Sequence, residues 1–485
     1  MDPINASSEI SPDKFAEGWR KFVKGTPPKV LREFLANHAA DWFEVSELPN
    51  KLKKGDVFIY IGRAGEPNCA VRIFNDLVDE VFSTAFNWES DPEASILIDE
   101  LAQNLPGYER FKETSADLRQ LKSIEAKIHS DDNSFRELNS TELAFIYQLD
   151  RKVRFFGQSS DYQLTNILST RDRYADFATI FNCSREEVTF LKSEINENTR
   201  VYCGGLDSAD WKVLSNRQSR LMVVGDVVFN NCHHLERLPD GLHIHGRASF
   251  KSCHNLREIG NYVVFRGDAN FTGATTLSAF GKGVEYLGKA DFSDCVSIRD
   301  YPADVIFAAS SDFSGTSISR IPFGEVFLEN ISFARTPIVK IPKDTQFHGR
   351  VSFEGSALEY ISEGVVFKGK ANFKDCLNLK EFHPTVRFLQ SVSFESSGLH
   401  SIPEAAQFFD DVDFSSCSNL ERIPELTRFY GVARFANSGI KRVDNDVKFY
   451  GPVMLKSCSK LEAIADGVCF YGPVHIKNCP SLRTK

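Results

Sequence analysis

Phe414-Ser415-Ser416-Cys417-Ser418-Asn419-Leu420-Glu421-Arg422-Ile423-Pro424, followed by a second aromatic at Phe429 and a new start at Phe435, is the stretch that decides the fold. The first aromatic position recurs as Phe229, Phe250, Phe271, Phe292, Phe313, Phe333, Phe353, Phe373, Phe394, Phe414, Phe435, Leu455 and Ile476, always 20 or 21 residues apart. The second recurs as Phe265, Phe307, Phe327, Phe347, Phe367, Phe388, Phe408, Phe429, Phe449 and Phe470. Self-similarity at such a period marks a repeat array. Interval length and chemistry are correlated. Turns carrying Cys232, Cys253, Cys295, Cys376, Cys417 or Cys458 are the long form, as is the turn with Ala274. Turns carrying Thr316, Thr336, Ser356, Ser397 or Ser438 are the short one. The thiol or hydroxyl is expected to donate to a loop carbonyl, so that two turn geometries satisfy one stacked backbone.

A single turn cannot bury its apolar side, but about thirteen stacked turns share one core, with parallel strands about 4.8 Å apart and an inner sheet on the order of 60 Å long. The second aromatic lies in extended contexts such as Gly364-Val365-Val366-Phe367, which predicts a second strand on the outer side of each turn. The expected class is α+β. Residues 1–199 form a mostly helical domain with a small β-meander, 200–223 an irregular capping turn, and 224–485 a β-solenoid.

With Phe in place of the usual strand leucine, Phe373-Lys374-Asp375-Cys376-Leu377-Asn378-Leu379 and Phe313-Ser314-Gly315-Thr316-Ser317-Ile318 resemble the leucine-rich repeats of plant immune receptors and bacterial effectors. The resemblance implies a partner-binding solenoid. Ahead of it, Ala116 to Glu125, Leu143 to Phe156 and Ile195 to Tyr202 are loosely similar to a segment that precedes repeats in uncharacterised bacterial proteins, which implies no activity.

The residue before each first aromatic points away from the core, because strand side chains alternate. This outward row contains Asn270, Asp291, Asp312, Asn372, Asp413, Arg434 and His475. It is read as a groove of small residues, acidic near Asp291 and Asp312, that admits an extended basic or polar segment. The competing reading is a solvated wall that keeps the array soluble, since binding hot spots favour Trp, Tyr and Arg.

In the first 200 residues, Thr26-Pro27, Asn139-Ser140-Thr141-Glu142 and Ser184-Arg185-Glu186-Glu187 read as helix starts, as do Ser11-Pro12 and Asp91-Pro92-Glu93. Helices are expected over Tyr108 to Ser130 and Thr141 to Phe156. Asp56 to Gly62, Ala70 to Phe74 and Leu77 to Phe82 should form a three-stranded meander turning at Asn75-Asp76.

Of 66 acidic and 57 basic side chains, 34 and 25 fall in the first 200 residues, leaving 32 of each sign for the repeats. The repeat half is therefore neutral, which argues against nucleic acid and anionic membrane as partners. Neither a run of about 18 apolar residues nor a signal-peptide pattern occurs, so a cytoplasmic protein, or an effector secreted without a cleaved signal, is expected. No CxxC pair occurs and the histidines are scattered, so neither metal nor cofactor is expected. Gly62-Arg63-Ala64-Gly65 lacks the lysine of a phosphate loop. Cys69 and Cys183 lack the Cys-x-Asp motif of effector ubiquitin ligases. The expectation is a protein-interaction module or adaptor whose partner the sequence does not name; the last turn's uncapped sheet edge is expected either to pair with a second copy of the chain or to mark the sequence as a fragment. The alternative is a bacterial effector with an enzymatic first domain and substrate-recruiting repeats.

Overall fold

The computed structural model describes residues 19–37, 53, 55–61, 67–74, 77–83, 96, 98–99, 103, 108–129, 137–155, 162–215, 217–302 and 304–483. The chain forms two compact units, Met1–Asn182 and Cys183–Lys485.

In the first unit the expected meander is present as Asp56–Ile61, Pro67–Phe74 and Leu77–Ser83, and Trp19–Phe22 joins it as a fourth antiparallel strand. Helix Tyr108–Ile128 buries Leu121 and Ile124 against Leu143 and Ile146 of helix Ser140–Ile146 and against Leu164 and Ile167 of helix Tyr162–Ser169. Asn139 and Glu142 form the expected reciprocal cap, with Asn139 N–H donating to the Glu142 carboxylate at 2.9 Å. This helix stops well short of Phe156. Gln148 takes φ +53°, and Leu149 N–H bonds back to the Ala144 carbonyl, which closes the last turn. Thr26-Pro27 does open a helix, Pro28–Asn37. Ser184 to Glu187 opens only one 3₁₀ turn, Arg185–Glu187, because Val188 is drawn into parallel pairing with Val201. The starts expected at Ser11-Pro12 and Asp91-Pro92-Glu93, the Asn75-Asp76 turn and the Gly62–Gly65 stretch lie outside the described residues.

In the second unit each turn has up to three short strands. The inner strands form one parallel sheet of fourteen, from Leu206–Asp207 to Val474–Lys477. The first of these was not legible in the repeat because Ser208 stands where later turns carry Phe; Leu206 pairs with Val227 and Asp207 with Val228. The outer strands carry the second aromatic, as expected, but form two sheets. Seven strands run from Val188–Thr189 to Ile306–Phe307, and eight from Val326–Phe327 to Cys469–Phe470.

Both aromatic columns point into the core. Phe394 stacks on Phe414 at 5.2 Å and 3°, Phe347 on Phe367 at 5.1 Å and 2°, and the two columns meet edge to face, as in Phe367 and Phe373 at 5.5 Å and 86°. Offset stacks along each column and T-shaped contacts between them are both favoured by the ring quadrupole. Each Phe buried this fully contributes roughly 1.5–3 kcal/mol.

The thiol and hydroxyl donors are used as expected, with a division of labour. Cys253, Cys295, Cys376, Cys417 and Cys458 each donate to the first-column carbonyl one turn earlier, Cys417 to Phe394 at 3.0 Å for example. Thr316 and Thr336 donate within their own turn, to Phe313 at 2.8 Å and Phe333 at 2.7 Å. The longer thiol reaches across turns and the threonine hydroxyls close their own, whereas the Ser356, Ser397 and Ser438 hydroxyls lie 3.5 to 3.7 Å from the cysteine thiol of the next turn. Two residues after every first-column position the backbone is left-handed, from Asn231 and Ser252 through Gly273 and Gly315 to Ser457 and Asn478. The glycines and small polar residues found at all of these but Arg335 suit that conformation.

Candidate functional site

The outward row of the inner sheet lies where the sequence places it. Asn270, Asp291, Asp312, Asn372, Asp413 and Arg434 are half-buried, whereas His475 on the last strand is exposed. The half-burial comes from hydrogen bonds made within the wall. Side-chain oxygens of Asn270, Asp291, Asp312, Asn372 and Asp413 accept the backbone N–H two residues on, at 2.8 to 3.1 Å. Ser332, Ser352 and Ser393 do the same at 3.3 to 3.5 Å. Short oxygen-bearing side chains are selected here because they hold the chain as it leaves the strand toward the left-handed residue.

Asp291 and Asp312 are register partners on adjacent strands. Two carboxylates side by side are tolerated because each is surrounded by donors. Asp291 accepts from Asn270 Nδ2 at 3.1 Å, Thr272 Oγ1 at 3.0 Å, Ser293 N and Ser293 Oγ at 2.6 Å. Asp312 accepts from the Ser314 N–H and hydroxyl, and that hydroxyl lies 2.7 Å from Ser332 Oγ. Asn372 Nδ2 donates to Glu354 at 3.0 Å. Asp413 and Arg434 are also register partners, yet the guanidinium turns to Asp411 Oδ2 at 3.2 Å. The structure thus joins Asn270 to Asp291 in one hydrogen-bonded network and sets Asp312, with Ser314 and Ser332, in a second network on the adjacent strand; Asn372, Asp413 with Arg434, and His475 lie on later turns.

In the first unit the polar clusters are internal braces. Arg171 holds Asp176 through two bonds of 2.6 Å, and Tyr147 Oη donates to the same carboxylate at 2.9 Å. Burial, then the neighbouring carboxylate, pushes the Tyr147 phenol well above its usual range. Asp117, almost wholly buried, accepts from the Arg151 guanidinium and from Arg154 N–H at 2.9 Å. At the start of the second unit, burial, reinforced by Glu187, raises the Cys183 thiol, the opposite of what activates a nucleophilic cysteine. The side chain of Cys69 lies outside the described residues.

One set of surface residues escaped the sequence reading. Phe409, Tyr430, Tyr450 and Tyr471 each follow a second-column aromatic, buried for the first three and half-buried at Phe470, and face solvent in a single stack. Their signal was the doublet Phe408-Phe409, Phe429-Tyr430, Phe449-Tyr450 and Phe470-Tyr471, hidden because the first member of each already satisfied the repeat.

No helix among the described residues is long and apolar enough to cross a membrane. Six copies of the family model described as BspA type Leucine rich repeat region match residues 213–299 and 344–462. The unmatched stretch between them contains the break in the outer sheet. No curated protein and no solved structure matches the chain. Repeat matches on both sides of that break, together with one continuous stack of parallel inner strands, make this chain a leucine-rich-repeat protein.

Proposed function

We propose that the chain is an adaptor that holds a protein partner along the outward wall of its inner sheet, with Asn270, Asp291, Asp312, Asn372, Asp413, Arg434 and His475 as contact residues. The observation that carries this reading is the unbroken fourteen-strand sheet. It presents a long, pre-formed polar face at no ordering cost, the kind of surface on which repeat arrays bind other macromolecules.

The turn-capping role of the aspartates dictates the test. Charge reversal would remove the caps, whereas Asp→Asn keeps an accepting oxygen and removes only the charge. Full-length chain and the triple variant Asp291→Asn, Asp312→Asn, Asp413→Asn are compared in affinity capture followed by titration of the captured protein. The reading expects roughly tenfold weaker binding of a basic partner by the variant. Unchanged affinity at low and high salt removes the wall's charge from the mechanism.

A further inference from the structure

We propose that the aromatic column Phe409, Tyr430, Tyr450 and Tyr471, with the basic row beside it, is a docking strip for an acidic, aliphatic-bearing extended segment of a partner protein. The proposal rests on reading the chain as a protein-binding scaffold, but not on the inner wall. These rings are 42%, 43%, 39% and 63% exposed, where the second-column rings that precede the first three are fully buried. They stack with centroids 5.6, 4.9 and 5.0 Å apart and planes within 6° of parallel. Outer-strand neighbours on the same face are Arg387, Gln407, Arg428 and Lys448, since residues on either side of an inward aromatic both point outward.

The chemistry of the occupant follows from what this strip shows to solvent. Because the rings cover one another's faces, most of what remains open is ring edges and phenol hydroxyls. Stacking of a nucleobase needs free faces, so a nucleic acid is disfavoured. Ring edges are the positive part of the aromatic quadrupole, phenols are donors, and the adjoining row is cationic, so the column and this row attract anions, against the exposed Asp410 that follows Phe409. Arg387 and Lys448 make no ion pair with any described residue, and the Arg428 guanidinium is held by the Leu426 and Asp446 carbonyls at 3.0 and 2.9 Å, leaving its charge uncompensated by a carboxylate. Exposed Glu425, Asp446 and Asp466 belong to the turns before these strands, so an acidic segment is favoured over the aromatic side and repelled from the turn side. The carbon edges of the four rings also need covering, which a bare polyanion does not do and aliphatic side chains do. Interface hot spots are enriched in Tyr and Arg, and a stacked column is already rigid. The strip is about 15 Å long, the length of roughly five extended residues.

The test uses the full chain and isothermal titration calorimetry. The probe is a synthetic peptide of about eight residues alternating glutamate and leucine, long enough to overhang the strip. Controls are its lysine–leucine counterpart, a glutamate-only peptide and a single-stranded oligonucleotide. The expected result is binding of the glutamate–leucine peptide above all three controls, weakened roughly tenfold both by Tyr430→Ala with Tyr450→Ala and by Arg387→Glu with Lys448→Glu. The second pair leaves the stack intact and guards against a folding defect, which circular dichroism reports separately. The Asp291, Asp312 and Asp413 variant should bind this peptide normally, so failure of the inner wall and failure of the strip are read independently. No binding, equal binding of any control, or insensitivity to either pair of substitutions overturns the proposal.

Discussion

Tyr301 sets its ring against Phe327 edge to face, centroids 5.4 Å apart at 77°, and lies 6.3 Å from Phe307. It does so at the one place where the outer sheet is interrupted, between the strands that end in Phe307 and Phe327. Elsewhere second-column neighbours stack directly, as Phe327 does on Phe347 at 5.0 Å and 6°. The same turn carries a second irregularity: Glu325 stands two residues before the aromatic, where neighbouring turns carry Val305, Thr345 and Val365.

Burial raises the Glu325 carboxyl above its usual range. Replacing it with Val should therefore stabilise the repeat unit by about 1 kcal/mol at neutral pH, read as a higher denaturant midpoint. The sign with pH is fixed. A carboxyl with a raised folded pKa costs nothing while protonated, and its penalty grows as pH rises from the unfolded value through the folded one. The advantage of Glu325→Val should accordingly shrink toward pH 4; a gain that is constant with pH would show that packing alone is responsible.

Tyr286 occupies the second column between Phe265 at 4.7 Å and Phe307 at 5.2 Å, fully buried, and its hydroxyl has no hydrogen-bond partner among the described residues. Desolvation holds that phenol far above its ordinary pKa. Tyr286→Phe keeps the stack and removes the stranded hydroxyl, so it should stabilise by about 1–3 kcal/mol. Chemical denaturation checks this; a loss of stability would mean the hydroxyl is satisfied.

Gly273 has φ +69°, and a side chain there would meet only Ser252 Oγ at 3.5 Å, so the site tests backbone conformation nearly free of sterics. Gly273→Val should cost about 1–2 kcal/mol. Gly273→Asn should cost distinctly less, because Asn tolerates the left-handed region and already fills the equivalent position at Asn231 and Asn437. Thermal melts of the two variants should separate accordingly.

The buried thiols give a chemical readout. Desolvation lifts Cys253, Cys376 and Cys417 to about 11 and Cys295 to about 12. A disulfide reagent at pH 8 should label these four only as fast as the repeats open, and Cys479 sooner, since it is only half-buried. The folded state keeps these protons while the unfolded chain loses them above about pH 9. The stabilisation is complete below that value and is lost as pH rises toward 11 and 12. Denaturant midpoints at pH 8 and pH 10.5 should differ in that direction.

The repeat was legible because stacked turns must reuse the same side chains at the same interval. Phe394, Cys417 and Ile423 are each constrained by one local geometry repeated along the array, and sequence spacing records that directly. The short helix Ser140–Ile146 was overestimated because apolar periodicity continues past Gln148, where only the backbone reverses.

What the sequence by itself determined is the solenoid, its inward columns and its outward row, since period and alternation fix which side chains face a shared core. Tertiary structure decided what the outward residues do. Asp291 and Asp312 prove to be bound by Thr272, Ser293 and Ser314, while Phe409, Tyr430, Tyr450 and Tyr471 emerge as an exposed stack. Both outcomes depend on contacts between side chains one turn apart, about twenty residues away along the chain. Those distances exist only once the turns are laid on one another.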